Sequence, residues 1–401
     1  VADAAAPRLR AASARNLVVI GGGVALRAAA LLVVAGELGP RRQGEVALAQ
    51  AIALVGGAVA NLGLEVGLVR ASAVPAQRRA AAGVFWTHSA LVATGTAVVV
   101  GALALAGEGG GAVAAGLVGL AGTVVTRLAA GCALGEGRER PYALLMLAPA
   151  AGFAGAVVVL AALDALTTHR ALAAFALSPV AAAIVLLPFV ASWLPPAFVR
   201  RPWRAEPYRT GVAAFPGALA YTANARLDQL VIAVLLPRAD LGLYSVAVAA
   251  SELTTLPGQA TGNVVLAQTS AGRLVERRAV SRAALETAVL AACAVPAYIA
   301  LVHTVLPRYD DSLPLFLVLL PGAAALSTGR VIAAYVAGRG RVWATSRIAL
   351  VAAAATLVLD LVLIPTIGVM GAAVASSVAY AAAAVLLYRA ARELDPESER
   401  R

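Results

Sequence analysis

The sequence predicts an all-α integral membrane protein of about twelve transmembrane helices, folded as two six-helix lobes with both termini cytoplasmic. Three observations lead there. Of the 401 residues, 61% are hydrophobic and 13% charged, and the mean hydropathy is +0.85; soluble domains average about 45–50% and about 25%. About twelve apolar stretches can be drawn, each near the roughly 20 residues that cross a hydrocarbon core as a helix. The arginines are also sorted: of 32, 23 fall in the odd-numbered loops and the two ends, counting Arg347 at the inner edge of the eleventh stretch with the loop it adjoins, 5 in the even-numbered loops and 4 deeper inside the stretches. A bilayer sorts charge in this way, because short Arg-rich loops stay cytoplasmic.

The stretches lie at roughly 16–36, 45–69, 80–106, 112–135, 142–163, 171–193, 211–236, 241–266, 283–306, 313–336, 344–364 and 367–388, with ends defined to a few residues. The first follows Arg8, Arg10 and Arg15 and superficially resembles a signal peptide. Its apolar run, Asn16 to Ala35, is too long for such a segment and carries Arg27, so it reads as an uncleaved span. The inside loops then take Arg70, Arg78 and Arg79, Arg138 and Arg140, four arginines from Arg200 to Arg209, four from Arg273 to Arg282, and Arg339, Arg341 and Arg347. Arg389, Arg392, Arg400 and Arg401 fall in the tail, and outside are only Arg41, Arg42, Arg170, Arg238 and Arg308.

The longest inside loop, 195–210, is rich in Pro and Arg and reads as a cytoplasmic linker between an N-terminal lobe, 1–194, and a C-terminal lobe, 211–390; residues 391–401 form a cytoplasmic tail. Internal similarity supports the division. The pattern R-x7-G-x-G-R occurs at Arg127 and again at Arg330. At a slightly different offset Gly44 meets Gly242, Asn61 and Glu65 meet Gln259 and Asn263, and Arg27 falls beside Arg226. An even number of spans separates each pair, so the repeat is parallel, an arrangement that places a site between two lobes.

Several function classes are excluded. The net charge of +11 is spread over short loops without an aromatic-lined patch, which fits topology and anionic lipid headgroups and not nucleic acid. Cys132 and Cys293 each sit alone in an apolar span, so neither a disulfide framework nor a zinc site is indicated. Gly21 to Gly23 lack the βαβ context of a dinucleotide fingerprint. His88 and His303 have no ligand spacing, and no constellation for covalent or acid-base catalysis is present. No cofactor, metal or catalytic residue is expected.

Four arginines, Arg27, Arg127, Arg226 and Arg330, lie within spans, where each costs about 2.5–3.5 kcal/mol on insertion scales and should face the bundle interior or a wet cavity. Arg127 and Arg330 have the alternative of snorkelling toward the inner headgroups; Arg27 and Arg226 are too far from either span end for that. Glu252, Thr255, Gln259 and Asn263 fall on one face of a continuous eighth helix. Asn61 and Glu65 mark a wet face on the second, and Tyr221, Asn224 and Asp228 on the seventh. Interhelical hydrogen bonding would account for the amides. Asp228 and Glu252, in mid-membrane, fit an ion-coupling role better.

These residues carry a resemblance. Glu37-Leu38-Gly39-Pro40 with Gly44, Asn61-Leu62-Gly63-Leu64 and Arg70 resemble the first signature of polysaccharide-biosynthesis flippases. Asp228-Gln229-Leu230 with Gly242-Leu243-Tyr244 resemble their seventh-helix aspartate and following turn, and Ile364-Pro365, Gly368 and Gly371 to Ala375 their last helix pair. The landmarks span nearly the whole chain in order. The resemblance implies an O-antigen-type lipid-linked oligosaccharide flippase of the multidrug/oligosaccharidyl-lipid/polysaccharide exporter superfamily, in the cell (cytoplasmic) membrane, serving lipopolysaccharide or related cell-envelope synthesis. Two lobes would rock about a cavity and carry a polyprenyl-pyrophosphate-linked oligosaccharide outward, with membrane lipids and polysaccharide polymerase machinery as partners. Arg27, Arg226, Arg127 and Arg330 with Asn61, Gln259 and Asn263 would bind it, and Asp228 and Glu252 would couple an ion. Arg27 corresponds by position to a first-helix arginine of lipid II flippases, although Ala28 follows where those have an acidic residue.

Alternatives are a cation-coupled multidrug exporter of the same superfamily and, from a different class, an integral-membrane glycan polymerase or ligase. The second is disfavoured because no outer loop exceeds about ten residues. A major-facilitator transporter would carry G-x-x-x-D-R-x-G between its second and third spans, which Ala71 to Arg79 lack.

Overall fold

In hydrocarbon each backbone N–H and C=O must be satisfied within its own segment, so apolar runs of this length are helices. The structure, a computed structural model, describes residues 2–107, 111–270 and 278–394. Arg273, Arg277, Arg400 and Arg401 lie outside the described residues, as do the side chains of Arg8, Arg10, Arg15 and Arg278. Among the described residues every regular element is helical: α1 (Ala2–Asn61), α2 (Leu64–Ala73), α3 (Arg78–Leu105), α4 (Gly111–Gly135), α5 (Glu139–Ala162), α6 (Thr168–Trp193), α7 (Glu206–Leu235), α8 (Arg238–Leu253), α9 (Leu256–Ser270), α10 (Arg278–Ala300), α11 (Ser312–Gly338), α12 (Val342–Ile367) and α13 (Val369–Arg392). Nine segments among them are long and apolar enough to cross a bilayer, which makes this a multi-pass membrane protein.

Three expectations about the spans change. The first two stretches are not joined by a loop: α1 runs through both and breaks at a single residue, Gly39 (φ 75°, ψ 173°). Glycine alone adopts that backbone cheaply, and Pro40 behind it suits the first turn of the next helix. The apolar part, Gly21–Asn61, is 41 residues, roughly 60 Å of helix, which is twice the hydrocarbon core. The second stretch is itself interrupted, because Leu62 and Gly63 take φ of 50° and 69°. The eighth stretch divides into α8 and α9 at Thr254-Thr255. Pro257 supplies no N–H to the Leu253 carbonyl, and the Thr254 and Thr255 hydroxyls donate back to the Ser251 and Glu252 carbonyls at 2.7 and 2.8 Å.

The chain forms two compact units. One is Gly22–Leu230; the other comprises the described residues up to Gly21 and from Val231 onward. In the first, α4 packs against α2, α3, α5 and α6; 61% of its most apolar window is buried against 11% for α3, so α4 is the central helix. In the second, α11 packs against α8, α9, α10, α12 and α13 and is 56% buried by the same measure. The duplicated pattern R-x7-G-x-G-R lies on these two central helices and ends both identically. Gly137 and Gly340 are left-handed (φ 72° and 87°). Arg138 N donates to Ala133 O at 2.8 Å and Arg341 N to Val336 O at 3.2 Å, the long-range bond of a Schellman cap.

Candidate functional site

Arg27 and Arg127, far apart in sequence, line one pocket inside the first unit. Its walls come from four helices: Arg27 on α1, Thr123, Thr126 and Arg127 on α4, Leu145, Met146, Pro149, Ala150 and Phe153 on α5, and Phe175 and Pro179 on α6. The pocket is partly open to the exterior, and its roughly 570 Å³ of free space includes that open part. Arg27 is exposed and its Nε donates to the Gly23 carbonyl at 3.3 Å, which anchors the base of the guanidinium on its own helix. Thr126 donates to the Gly122 and Thr123 carbonyls at 3.0 and 3.1 Å. Phe153 and Phe175 meet edge to face at 5.8 Å and form an apolar wall.

Two prolines shape that wall. Pro149 and Pro179 sit inside α5 and α6, and each removes the helical donor to the carbonyl four residues before it. Those carbonyls belong to Leu145 and Phe175, themselves pocket-lining residues. The pocket therefore combines two permanently charged cations, two hydroxyls and unladdered backbone with an aromatic and aliphatic surface. Among its described lining residues there is no carboxylate. Such a lining suits an amphipathic anion: guanidinium donors match phosphate oxygens bidentately.

The other expected site residues lie elsewhere. Asn61 is buried at the end of α1, where its Oδ1 accepts from the Glu65 N–H at 3.1 Å and so caps the start of α2. Asp228 is buried on α7 and accepts from the Gln229 N–H at 2.7 Å; Arg226 is half-buried and donates to the Ala225 carbonyl at 3.0 Å. In the second unit the Arg330 guanidinium donates to the Thr255 hydroxyl at 3.1 Å, which ties the central helix to the break between α8 and α9. Ser327, one turn earlier, meets Thr287 at 2.7 Å and accepts from the Gly258 N–H at 3.1 Å. Because α8 ends before α9 begins, the stripe Glu252, Thr255, Gln259, Asn263 is not one continuous face: Thr255 is buried, Glu252 and Gln259 are half-buried, and Asn263 is exposed.

Sequence reasoning missed Thr123 and Thr126, although they stand four and one residues before Arg127 and so adjoin it on the helix. It also passed over His88. That imidazole is buried, with Nδ1 2.6 Å from the Tyr208 hydroxyl and Nε2 2.7 Å from the Ala60 carbonyl. A carbonyl accepts only, so Nε2 carries the proton and Nδ1 accepts from Tyr208. His88 joins α1, α3 and the start of α7, and its partners are far away in sequence.

In fold the chain is similar to solved membrane transporters and to a solved lipid flippase. Among the solved structures, an inward-facing multidrug resistance MATE family transporter matches with a TM-score of 0.69 at 16% identity, over 94% of this chain and 96% of its own. The lipid II flippase MurJ in an inward closed conformation matches with a TM-score of 0.70 at 12% identity, over 93% of this chain and 86% of its own. An outward-facing MATE transporter matches at 0.58 with 18% identity, over 97% and 96%. No protein-family model matches the sequence, and no curated protein sequence does.

Proposed function

We propose that the chain is a flippase that moves a polyprenyl-pyrophosphate-linked oligosaccharide across the cytoplasmic membrane by alternating access, for cell-surface polysaccharide synthesis. The observation that carries this reading is the pairing of Arg27 and Arg127 in one pocket whose described lining has no carboxylate. A pyrophosphate brings roughly two negative charges, which two arginines bind bidentately, while the Phe153 and Phe175 wall suits the first prenyl units. Transport uses twelve crossings in two lobes, 1–194 and 211–390, joined by the linker 195–210, with termini and tail inside. Arg226 and Arg330, with Asn61, Gln259 and Asn263, serve the headgroup and glycan later in the cycle, and Asp228 and Glu252 couple an ion. An inside-negative potential drives the anion outward at about 2.3 kcal/mol per charge per 100 mV.

A second reading, cation-coupled drug export, draws support from the fold shared with multidrug transporters. It calls for an acidic cavity, which the Arg27 pocket is not. The test compares wild type with Arg27→Ala, Arg127→Ala and the two Arg→Lys variants in a strain lacking its own flippase. Surface glycan is expected to fall at least about tenfold in each alanine variant, the loss of one charged hydrogen-bond partner, with lysine restoring part of it. Wild-type glycan in both alanine variants would sink the proposal, and resistance to cationic drugs without glycan export would favour the second reading.

A further inference from the structure

The linker between α6 and α7 is short of freedom. Trp193 ends a helix long and apolar enough to cross a bilayer, and Glu206 begins α7 after only twelve intervening residues, so this segment stays close to the bilayer surface. It is held at every stage of its path. Trp86 Nε1 donates to the Leu194 carbonyl at 3.0 Å, the Val199 N–H donates to the Thr87 hydroxyl at 3.0 Å, and Tyr208 is bound to His88. Leu194 and Pro202 are buried. At its far end Gly67 packs so tightly against the Pro207 carbonyl that a β-carbon there would overlap it.

What this fixed strap turns outward is specific. Phe198 is 72% exposed and Trp203 62% exposed, and Arg200, Arg201, Arg204 and Arg209 are all exposed around them. Beside these four arginines the segment and the first turn of α7 hold one acid, Glu206, which is half-buried and accepts from the Thr210 hydroxyl at 2.8 Å. Large aromatics beside arginines, on a strap already docked on its inner side, match the headgroup layer, where the rings reach the acyl boundary and guanidinium groups meet phosphate. Water alone would leave both rings uncovered.

We propose that the strap from Pro195 to Arg209 is a docking site for anionic phospholipid headgroups, with Trp203 and Phe198 inserted at the interface and Arg200, Arg201 and Arg204 recruiting the negative charge. The site depends on the chain spanning a bilayer and not on the cargo, so a different transported molecule would leave it intact. In the test the full-length protein is reconstituted in phosphatidylcholine containing a minor fraction of chain-brominated lipid. The fluorescence lost on going from wild type to Trp203→Phe isolates the Trp203 signal. Brominated phosphatidylglycerol is expected to quench that signal several-fold more than brominated phosphatidylcholine at equal fraction. The combined variant Arg200→Gln/Arg201→Gln/Arg204→Gln, which changes exposed side chains only, should erase the preference and leave the thermal unfolding temperature unchanged. Equal quenching by the two lipids, no quenching by either, or a preference that survives the glutamines would each overturn the assignment.

Discussion

At the scale of single residues, the glycines separate into those that serve contact and those that do not. Gly67 on α2 faces the Pro207 carbonyl of the α7 start, closer than any side chain permits, and Gly63 faces the Gly211 carbonyl in the same way. Gly155 on α5 has nothing within 4 Å of its missing β-carbon. Gly67→Leu is therefore expected to destabilise by about 1–3 kcal/mol, the usual cost of overpacking, and Gly155→Ala to be neutral or stabilising by up to about 1 kcal/mol through helix propensity. Thermal unfolding in detergent checks both, and a tolerated Gly67→Leu would mean that α7 does not rest on α2. Gly63 and Gly67 stand four residues apart in the sequence, the spacing of small residues that lets helices approach closely. The partner they approach was not legible there, because Pro207 and Gly211 lie on a helix that no local pattern connects to α2.

At the scale of elements, the internal repeat has a plain physical meaning. Its two glycine-containing halves are helix caps: Gly135 and Gly338 end the central helices, and Gly137 and Gly340 supply the left-handed residue that closes each one. At neither capping glycine does any atom lie within 4 Å of the place a β-carbon would occupy, so backbone strain is the whole cost of substitution. Gly137→Ala and Gly340→Ala should each lower stability by about 1–2 kcal/mol, and equally, since the two caps match bond for bond. Unequal losses in chemical denaturation would show that the caps are not equivalent. The arginines eight residues upstream diverge: Arg127 opens onto a pocket, whereas Arg330 bonds Thr255 beside a helix break. The sequence held the cause of that break in Pro257, yet the hydrophobic run around it masked the signal. Glu252 and Gln259 consequently share a stripe by spacing alone and belong to different helices in space.

At the scale of the whole molecule, alternation of arginine-rich and arginine-poor loops makes a topology testable. Arg138 lies 5.2 Å above the Trp193 ring and pairs with Glu136 at 2.7 Å, so the α4–α5 turn and the end of α6 share one end of the first unit; Arg341 pairs with Glu393 at 3.3 Å and joins the α11–α12 turn to the end of α13. With Cys132 and Cys293 replaced by alanine, a membrane-impermeant thiol reagent applied to intact cells is expected to label an Arg170→Cys variant and spare an Arg140→Cys variant until the membrane is opened. The reverse pattern would invert the proposed orientation. Composition, apolar run lengths and the sorting of arginine by themselves determined a multi-pass helical protein, since each reflects the transfer of a segment between water and oil, a property of that segment alone. Which arginines meet was decided by tertiary structure. Arg27 and Arg127 converge because α1 and α4 pack beside the proline-containing α5 and α6, and Arg226 and Arg330 do not line that pocket. Such convergence depends on contacts between residues distant in the chain, which no local periodicity encodes.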